Sequence, residues 1–581
     1  MSRPLLQDII FGRSLREPGY RVDFAVGSTY SLDLDSFISL PFSLGFLEEP
    51  DEVMKKSILY IFSALRLCSD RLAVFCNFSD IKVPPQSRKV YYALMEESIF
   101  PVNAGNDKRI VNFHPKVWVV KQTSVNGMDS LIRVIIMSRN LTRDGDLDCA
   151  CVLTGKIGRG TPEGRKKHKP LADFLLYLRK KAIGPKRARI ESLANDLLLI
   201  DRFDVAGSVF DDYDFLPMGI PDYSGMKDMD DMTRSARCVV VSPFLDDTTV
   251  SRFGGCAEKL LVTQETSISD SVVNTFGREN IYTVAPQMID NDLGESVNLH
   301  AKMYFTHGPR RGVSGWKNNL YLGSTNATVN GFDRNVEFLV CLQFAPYKTS
   351  WWTFASLFKE DPGKRFIPMV DVMEPDQGKG EEYRRTIALR QAIAAIKKAM
   401  VNPDGEFFSI TLFVGEGEMS ASVYPLLRPD LKAPLCSGIS FKGMSLIELS
   451  EFYVIEAEGL SRVVKVPTEG IPSDRDDMIC RSVITSKAQF MDCISFLLSE
   501  NKTAYVVAQE YSKLISGDAG EGSSGRSFPA VYESILREAY ESPDTFEDIR
   551  TFVNSLPQDV VPADFHALYK KVVKAIKGFR R

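Results

Sequence analysis

The chain has 581 residues, of which 44% are hydrophobic and 25% charged, the ordinary balance of a soluble protein with room for several cores. Its net charge is −4, so the whole chain lacks the basic excess of a dedicated nucleic-acid binder, and any basic footprint must be local. The opening residues carry no signal-peptide core, and no apolar run reaches about 18 residues. The ten cysteines form no CxxC, which argues against a zinc ribbon or a disulfide framework. The expectation is a cytoplasmic protein with no membrane segment and no metal or other cofactor.

From the N-terminus, "EVMKKSILYIFSALRLC" (52–68) has the three- and four-residue apolar spacing of a helix. "RLAVFCNF" (71–78), "KVWVV" (116–120), "LIRVIIM" (131–137) and "CACVL" (149–153) read as buried strands. Cys149 and Cys151 read there as small packing residues. The stretch 155–190 holds twelve Lys or Arg and two acids, a net charge of +10. Arg165, Lys166, Lys167 and Lys169 are its candidates for contact with a nucleic-acid backbone. A solvated helix face explains such a run equally well. His168 reads as an exposed bystander.

The stretch 211–231 carries seven aspartates against one lysine and reads as a connection. Strands resume at 237–245, 259–263, 280–284, 301–305, 319–323 and 337–344. A second punctuation, "MEPDQGKGEEYRR" (373–385), precedes an antiparallel β region near 405–470. "SGDAGEGSSGRS" (516–527) reads as a flexible linker. The C-terminus reads as helical, with Leu568, Val572, Ile576 and Phe579 on one face. The expected fold class is α/β: two pseudo-symmetric lobes with mixed sheets flanked by helices, plus a β-rich and helical accessory region. The expected divisions are 1–205, 206–372, 373–475 and 476–581.

The two lobes are inferred from an internal repeat. "NFHPKVWVV" contains His114 and Lys116, and "NLHAKMYF" contains His300 and Lys302. On a strand, positions two apart share a face. Ser138 and Ser324 each follow their histidine by 24 residues. Asn140 and Asn326, Thr142 and Thr328, and Gly145 and Gly331 keep a common offset. Asp148 then falls opposite Glu337, at the start of an apolar strand. One HxK is weak. The whole pattern given twice, 186 residues apart, marks a duplicated lobe.

This doubled pattern resembles the phospholipase D superfamily over roughly residues 25–370. The usual aspartate five residues after each lysine is missing: Lys121 and His307 stand there. In that respect the chain looks more like the tyrosyl-DNA phosphodiesterase and nuclease branch. The resemblance implies a metal-independent phosphodiesterase or nuclease acting on nucleic acid, DNA in the first place, with His114 as nucleophile and His300 as general acid. Lys116, Lys302, Asn140 and Asn326 would hold the phosphate oxygens, with Ser138 and Ser324 as second choices. Asp148 and Glu337 would orient the imidazoles, with Asp144 and Asp146 as rivals for Asp148. Bacterial relatives often serve anti-phage defence or restriction beside a separate helicase or ATPase. The chain has no GxxxxGK[ST] loop, so such a motor would be a separate partner. A homo-oligomer is not required to complete the site. A lipid-directed phospholipase and a non-catalytic nucleic-acid-binding scaffold are the alternatives.

Overall fold

The computed structural model describes residues 15–38, 68–84, 89–105, 111–142, 146–205, 209–225, 229–285, 298–310, 313–369, 379–415 and 420–483, with Leu40, Leu44, Leu65 and Phe565. The helix expected over 52–68, the linker at 516–527, the C-terminal helical face and Asp144 lie outside these residues, apart from Leu65 and Cys68.

The architecture is mixed α/β. One seven-stranded sheet runs, in spatial order, Ile99–Val102, Leu72–Asn77, Tyr20–Thr29, Val117–Ser124, Ser130–Met137, Ala150–Lys156 and Asp204–Val205. A second runs Asp212–Met218, Glu337–Phe344, Val313–Gly323, Met303–Arg310, Arg237–Val241, Glu258–Thr263, Ile281–Val284 and Phe366–Pro368. Read from opposite ends, the two have the same plan. Three parallel strands are followed by four antiparallel ones, and the lead-in to the fourth strand carries the HxK. Only the outermost Phe366–Pro368 lacks a counterpart.

Alternation along the strands builds the layers. Val117 and Val119, Ile132 and Val134, and Val239 and Val241 point into one shared core. The helices Pro162–Arg179, Lys186–Leu197 and Trp351–Lys359 fill it from between and beside the sheets with Leu171, Phe174, Leu193 and Trp351. Trp118, Val120 and Ile135 face a second core on the far side of the first sheet. Cys238, Val240 and Leu261 do the same beyond the second sheet.

Three expectations change. Asp212–Met218, inside the acid-rich stretch read as a connection, is an edge strand of the second sheet. Its acids obscured a two-residue alternation: Tyr213 and Phe215 are buried while Asp212 and Asp214 are half-exposed. His168 is fully buried instead of exposed. Its Nε2 lies 2.7 Å from the Tyr213 hydroxyl and its ring stands edge-on to Phe203, so it ties a helix of the first half to a strand of the second. Burial lowers its pKa to about 4, and it is held as a neutral hydrogen-bonding group. Finally, both HxK pairs lie just before their strands, which begin at Val117 and Met303.

The β region at 396–469 does not stand apart from the N-terminal half. Its strands Ala433–Pro434, Ala421–Pro425, Phe452–Ala457 and Leu460–Lys465 continue into Ile81–Lys82 and Leu32–Asp33, forming one six-stranded sheet. A buried ion pair adds a second attachment. Glu96 meets Arg475 at 2.8 Å and accepts from Ser450 Oγ at 2.5 Å and Glu451 N at 2.8 Å. Arg475→Ala would strand a buried carboxylate, and should cost about 3–5 kcal/mol in chemical denaturation. A loss under about 1 kcal/mol would show that the pair does not join the two regions.

Candidate active site

Each half builds its part of the site by the same local geometry. The Ser138 amide donates to Cys149 O (2.9 Å), and Ser138 Oγ accepts from Cys149 N (2.9 Å). In the second half, Ser324 makes the matching bonds with Phe338 O (3.1 Å) and Phe338 N (3.0 Å). Each serine also donates to the acid that opens the next strand. Ser138 Oγ reaches Asp148 Oδ1 at 2.6 Å, and Ser324 Oγ reaches Glu337 Oε2. The serines thus shape the turn and fix the carboxylates.

The carboxylates then cross between the halves. His114 Nδ1 lies 2.9 Å from Glu337 Oε2, and His300 Nδ1 lies 2.8 Å from Asp148 Oδ1. Backbone pairing enforces the exchange. His114 N donates to Val336 O and Val336 N to Asn112 O, both at 2.9 Å. The second half answers with His300 N to Leu147 O (2.9 Å) and Leu147 N to Asn298 O (2.8 Å). The residue preceding each acid is therefore zipped beside the opposite histidine. Asp146, the rival candidate, accepts from Asn298 N at 3.2 Å.

A carboxylate at Nδ1 fixes the proton there and leaves Nε2 as the basic nitrogen. Neither Nε2 has a hydrogen-bond partner among the described residues, and the side chains are 13% (His114) and 19% (His300) exposed. Lys116 and Lys302 are fully buried. Their Nζ atoms donate to the carbonyls of His114 (2.9 Å) and His300 (2.6 Å). Burial, then the facing ammonium, pushes the Lys116 pKa well down. Burial brings Lys302 to about 8. Burial lowers His114, with Glu337 opposing it and Lys116 adding to it. Burial and then Lys302 lower His300 to about 4. Burial raises the Asp148 carboxyl, but its bonds from His300 and Ser138 outweigh this and hold it down. The arrangement sets two imidazoles and two buried lysines together, and burial lowers the basicity of all four.

Asn140 accepts from Ser31 N at 3.4 Å, and Asn326 Oδ1 is buried without a partner. The basic candidates lie on the helix Pro162–Arg179. From Asp148 the chain runs along Ala150–Lys156, about 23 Å at 3.3 Å per residue, before the helix Pro162–Arg179 begins. Lys167 pairs with Asp212 at 2.6 Å, Lys169 with Asp173 at 2.6 Å, and Arg165 donates to Arg159 O. Lys166 is exposed there. Lys121 and His307, which replace the expected aspartates, bond Asp196 and Asn318.

One repeated signal escaped the sequence reading. "TYSLD" (29–33) and "SPFLD" (242–246) form matching turns at the rim. Thr29 Oγ1 donates to Ser31 O and Ser242 Oγ to Phe244 O, both at 2.8 Å. The same oxygens accept from Leu141 N and Ala327 N, and Asp33 and Asp246 each cap the following helix. The first turn brings Tyr30 onto His114, with ring centroids 5.0 Å apart.

No family model and no curated protein matches this sequence. Among solved structures, the chain is similar to yeast tyrosyl-DNA phosphodiesterase at 10% identity and a TM-score of 0.34, covering 59% of this chain and 86% of that one. It is also similar to polyphosphate kinase from Porphyromonas gingivalis at 9% identity and a TM-score of 0.32, covering 65% and 50%.

The crossed pairing has a direct spectroscopic consequence. Proton NMR titration of His300 should give a higher pKa in Lys302→Met, which removes the largest charge depressing it. Asp148→Asn should lower it further, because imidazolium loses its carboxylate. A shift of His114 in place of His300 on Asp148→Asn would contradict the pairing.

Proposed function

We propose that the chain is a metal-independent phosphodiesterase in which His114 and His300 act on one phosphorus through a covalent phosphohistidine. The observation that carries this reading is the crossed pairing: both Nδ1 atoms are bound by carboxylates, which leaves both Nε2 atoms free beside two buried ammoniums. A phosphodiester repels nucleophiles and has a poor leaving group, so a nucleophile and an acid are both required. One Nε2 attacks phosphorus, and the P–N bond forms as the P–O bond breaks. The other imidazole, protonated, gives its proton to the departing oxygen. That imidazole then takes a proton from water, whose oxygen displaces the phosphohistidine nitrogen.

Burial and the lysine charges favour the neutral imidazole that attack requires. A bound phosphodiester offsets those charges and so favours protonation of the partner that faces the leaving oxygen. Lys116, Lys302, Asn140 and Asn326 are assigned to the non-bridging oxygens. The resemblance in motif assigns His114 as nucleophile, and supports nucleic acid, DNA in the first place, as substrate.

His114→Ala and His300→Ala should each reduce cleavage of single- or double-stranded oligonucleotides by about 10⁴-fold or more, while the wild type stays active in EDTA. Strict dependence on a divalent ion would sink the scheme. Asp148→Asn should cost about 10²–10⁴-fold alone and nothing further in a His300→Ala background. Additive losses in the double variant would show that Asp148 acts independently of His300.

A further inference from the structure

The two halves of the site match turn for turn in backbone plan, and the position beside the first histidine differs between them. Where the first half has Tyr30, the corresponding turn of the second half has Pro243. His114 therefore has an aromatic neighbour that His300 lacks. The Tyr30 ring is tilted 57° to the imidazole at a centroid distance of 5.0 Å, and Lys116 Nζ lies 5.8 Å from its centre. It thus touches both members of the first HxK pair.

The far end of Tyr30 is held by the C-terminal third of the chain. Its hydroxyl accepts from the Arg390 guanidinium at 3.0 Å. Arg390 sits on the helix Lys379–Ala395 and is nine-tenths buried. Arg390 also lies 3.8 Å from Asp80 Oδ2, and Arg462, on the strand Leu460–Lys465, lies 3.9 Å from Asp80 Oδ1. Asp80 accepts in turn from Asn77 Nδ2 at 3.0 Å. Asn77 Oδ1 accepts from the backbone amide of Phe113, the residue before His114, at 3.2 Å. Two routes therefore lead from residues 379–465 to the same histidine. One goes through a phenol ring and one through the backbone that carries the imidazole. Burial and Asp80 push the phenol pKa up and Arg390 opposes them, so Tyr30 stays protonated and neutral against the imidazole.

We infer that Tyr30 and Arg390 are positioning residues for His114, and that the C-terminal β region sets the geometry of one half-site by way of Arg390 and Asp80. This inference rests on the phosphodiesterase reading for its kinetic part only. An imidazole free to turn about its Glu337 bond would lose alignment with phosphorus, and misplacement by about 1 Å costs up to ~10²-fold in rate. The corresponding turn of the second half carries Pro243, and among the described residues no hydrogen bond links His300 to residues 379–465.

The test uses the full chain with Arg390→Ala, the milder Tyr30→Phe, which keeps the ring but loses the hydroxyl, and the double variant. The first readout needs no turnover. Diethyl pyrocarbonate labelling, followed by peptide mass, should speed severalfold at His114 in Arg390→Ala and stay unchanged at His300. The second is kinetic: Arg390→Ala should lower kcat about tenfold with KM little altered. The double variant should be no worse than Arg390→Ala, because the bond that Tyr30→Phe removes is already lost with Arg390. Tyr30→Phe guards against misfolding and should reproduce the labelling asymmetry. Equal labelling changes at both histidines, or none at His114, would overturn the inference. A wild type that cleaves no phosphodiester would instead overturn the reading of function, and labelling alone would then decide this one.

Discussion

The structure depends on the exchange of carboxylates between its two halves. A buried carboxylate is costly unless it is paired and hydrogen-bonded, and each acid here takes a serine of its own half and a histidine of the other. Glu337 needs His114, and Asp148 needs His300. Each half satisfies its acid only in part, and the imidazole that completes the pairing comes from the other half, so the interface and the site form together. The backbone bonds between 112–114 and 336, and between 298–301 and 147, lock the register in which this happens. The duplication thus yields one symmetric centre in place of two separate ones.

The electrostatics follow from that geometry. Two lysines held without carboxylate hydrogen bonds, each capped on the carbonyl of its own histidine, leave positive charge in a buried place. Burial and this charge lower the basicity of both imidazoles. On the proposed reading, a bound phosphodiester would offset lysine charge and raise the basicity of the imidazole assigned as acid. Differential stabilisation of this kind is what a catalytic centre requires.

Much of this was legible in the sequence because it was written twice. The HxK pairs, the serines and the acids kept their spacing, and the strand segments around them showed unbroken apolar runs. What was not legible depended on contacts far apart in the chain. The crossing of Asp148 and Glu337 links residues 152 and 223 positions apart, and no local periodicity encodes it. The strand Asp212–Met218 was hidden by the acids on its outer face, although Tyr213 and Phe215 alternate inward. His168 was misread because its basic neighbours suggested solvent, whereas its own helical position faces the core. The +10 stretch suggested a substrate surface; Asp212 and Asp173, the first of them far along the chain, pair two of its lysines. Tyr30 carried a readable signal in the repeated "TYSLD" and "SPFLD", yet Arg390, 360 residues on, could be joined to it only by the fold.

The central claim is that the two imidazoles flank one phosphorus. A crystal structure with orthovanadate, which mimics the five-coordinate transition state, tests it most directly. The account predicts a single vanadium with Nε2 of one histidine as an apical ligand and Nε2 of the other hydrogen-bonded to the opposite apical oxygen, with Lys116 and Lys302 on equatorial oxygens. Two separate vanadates, each served by one histidine, would contradict it.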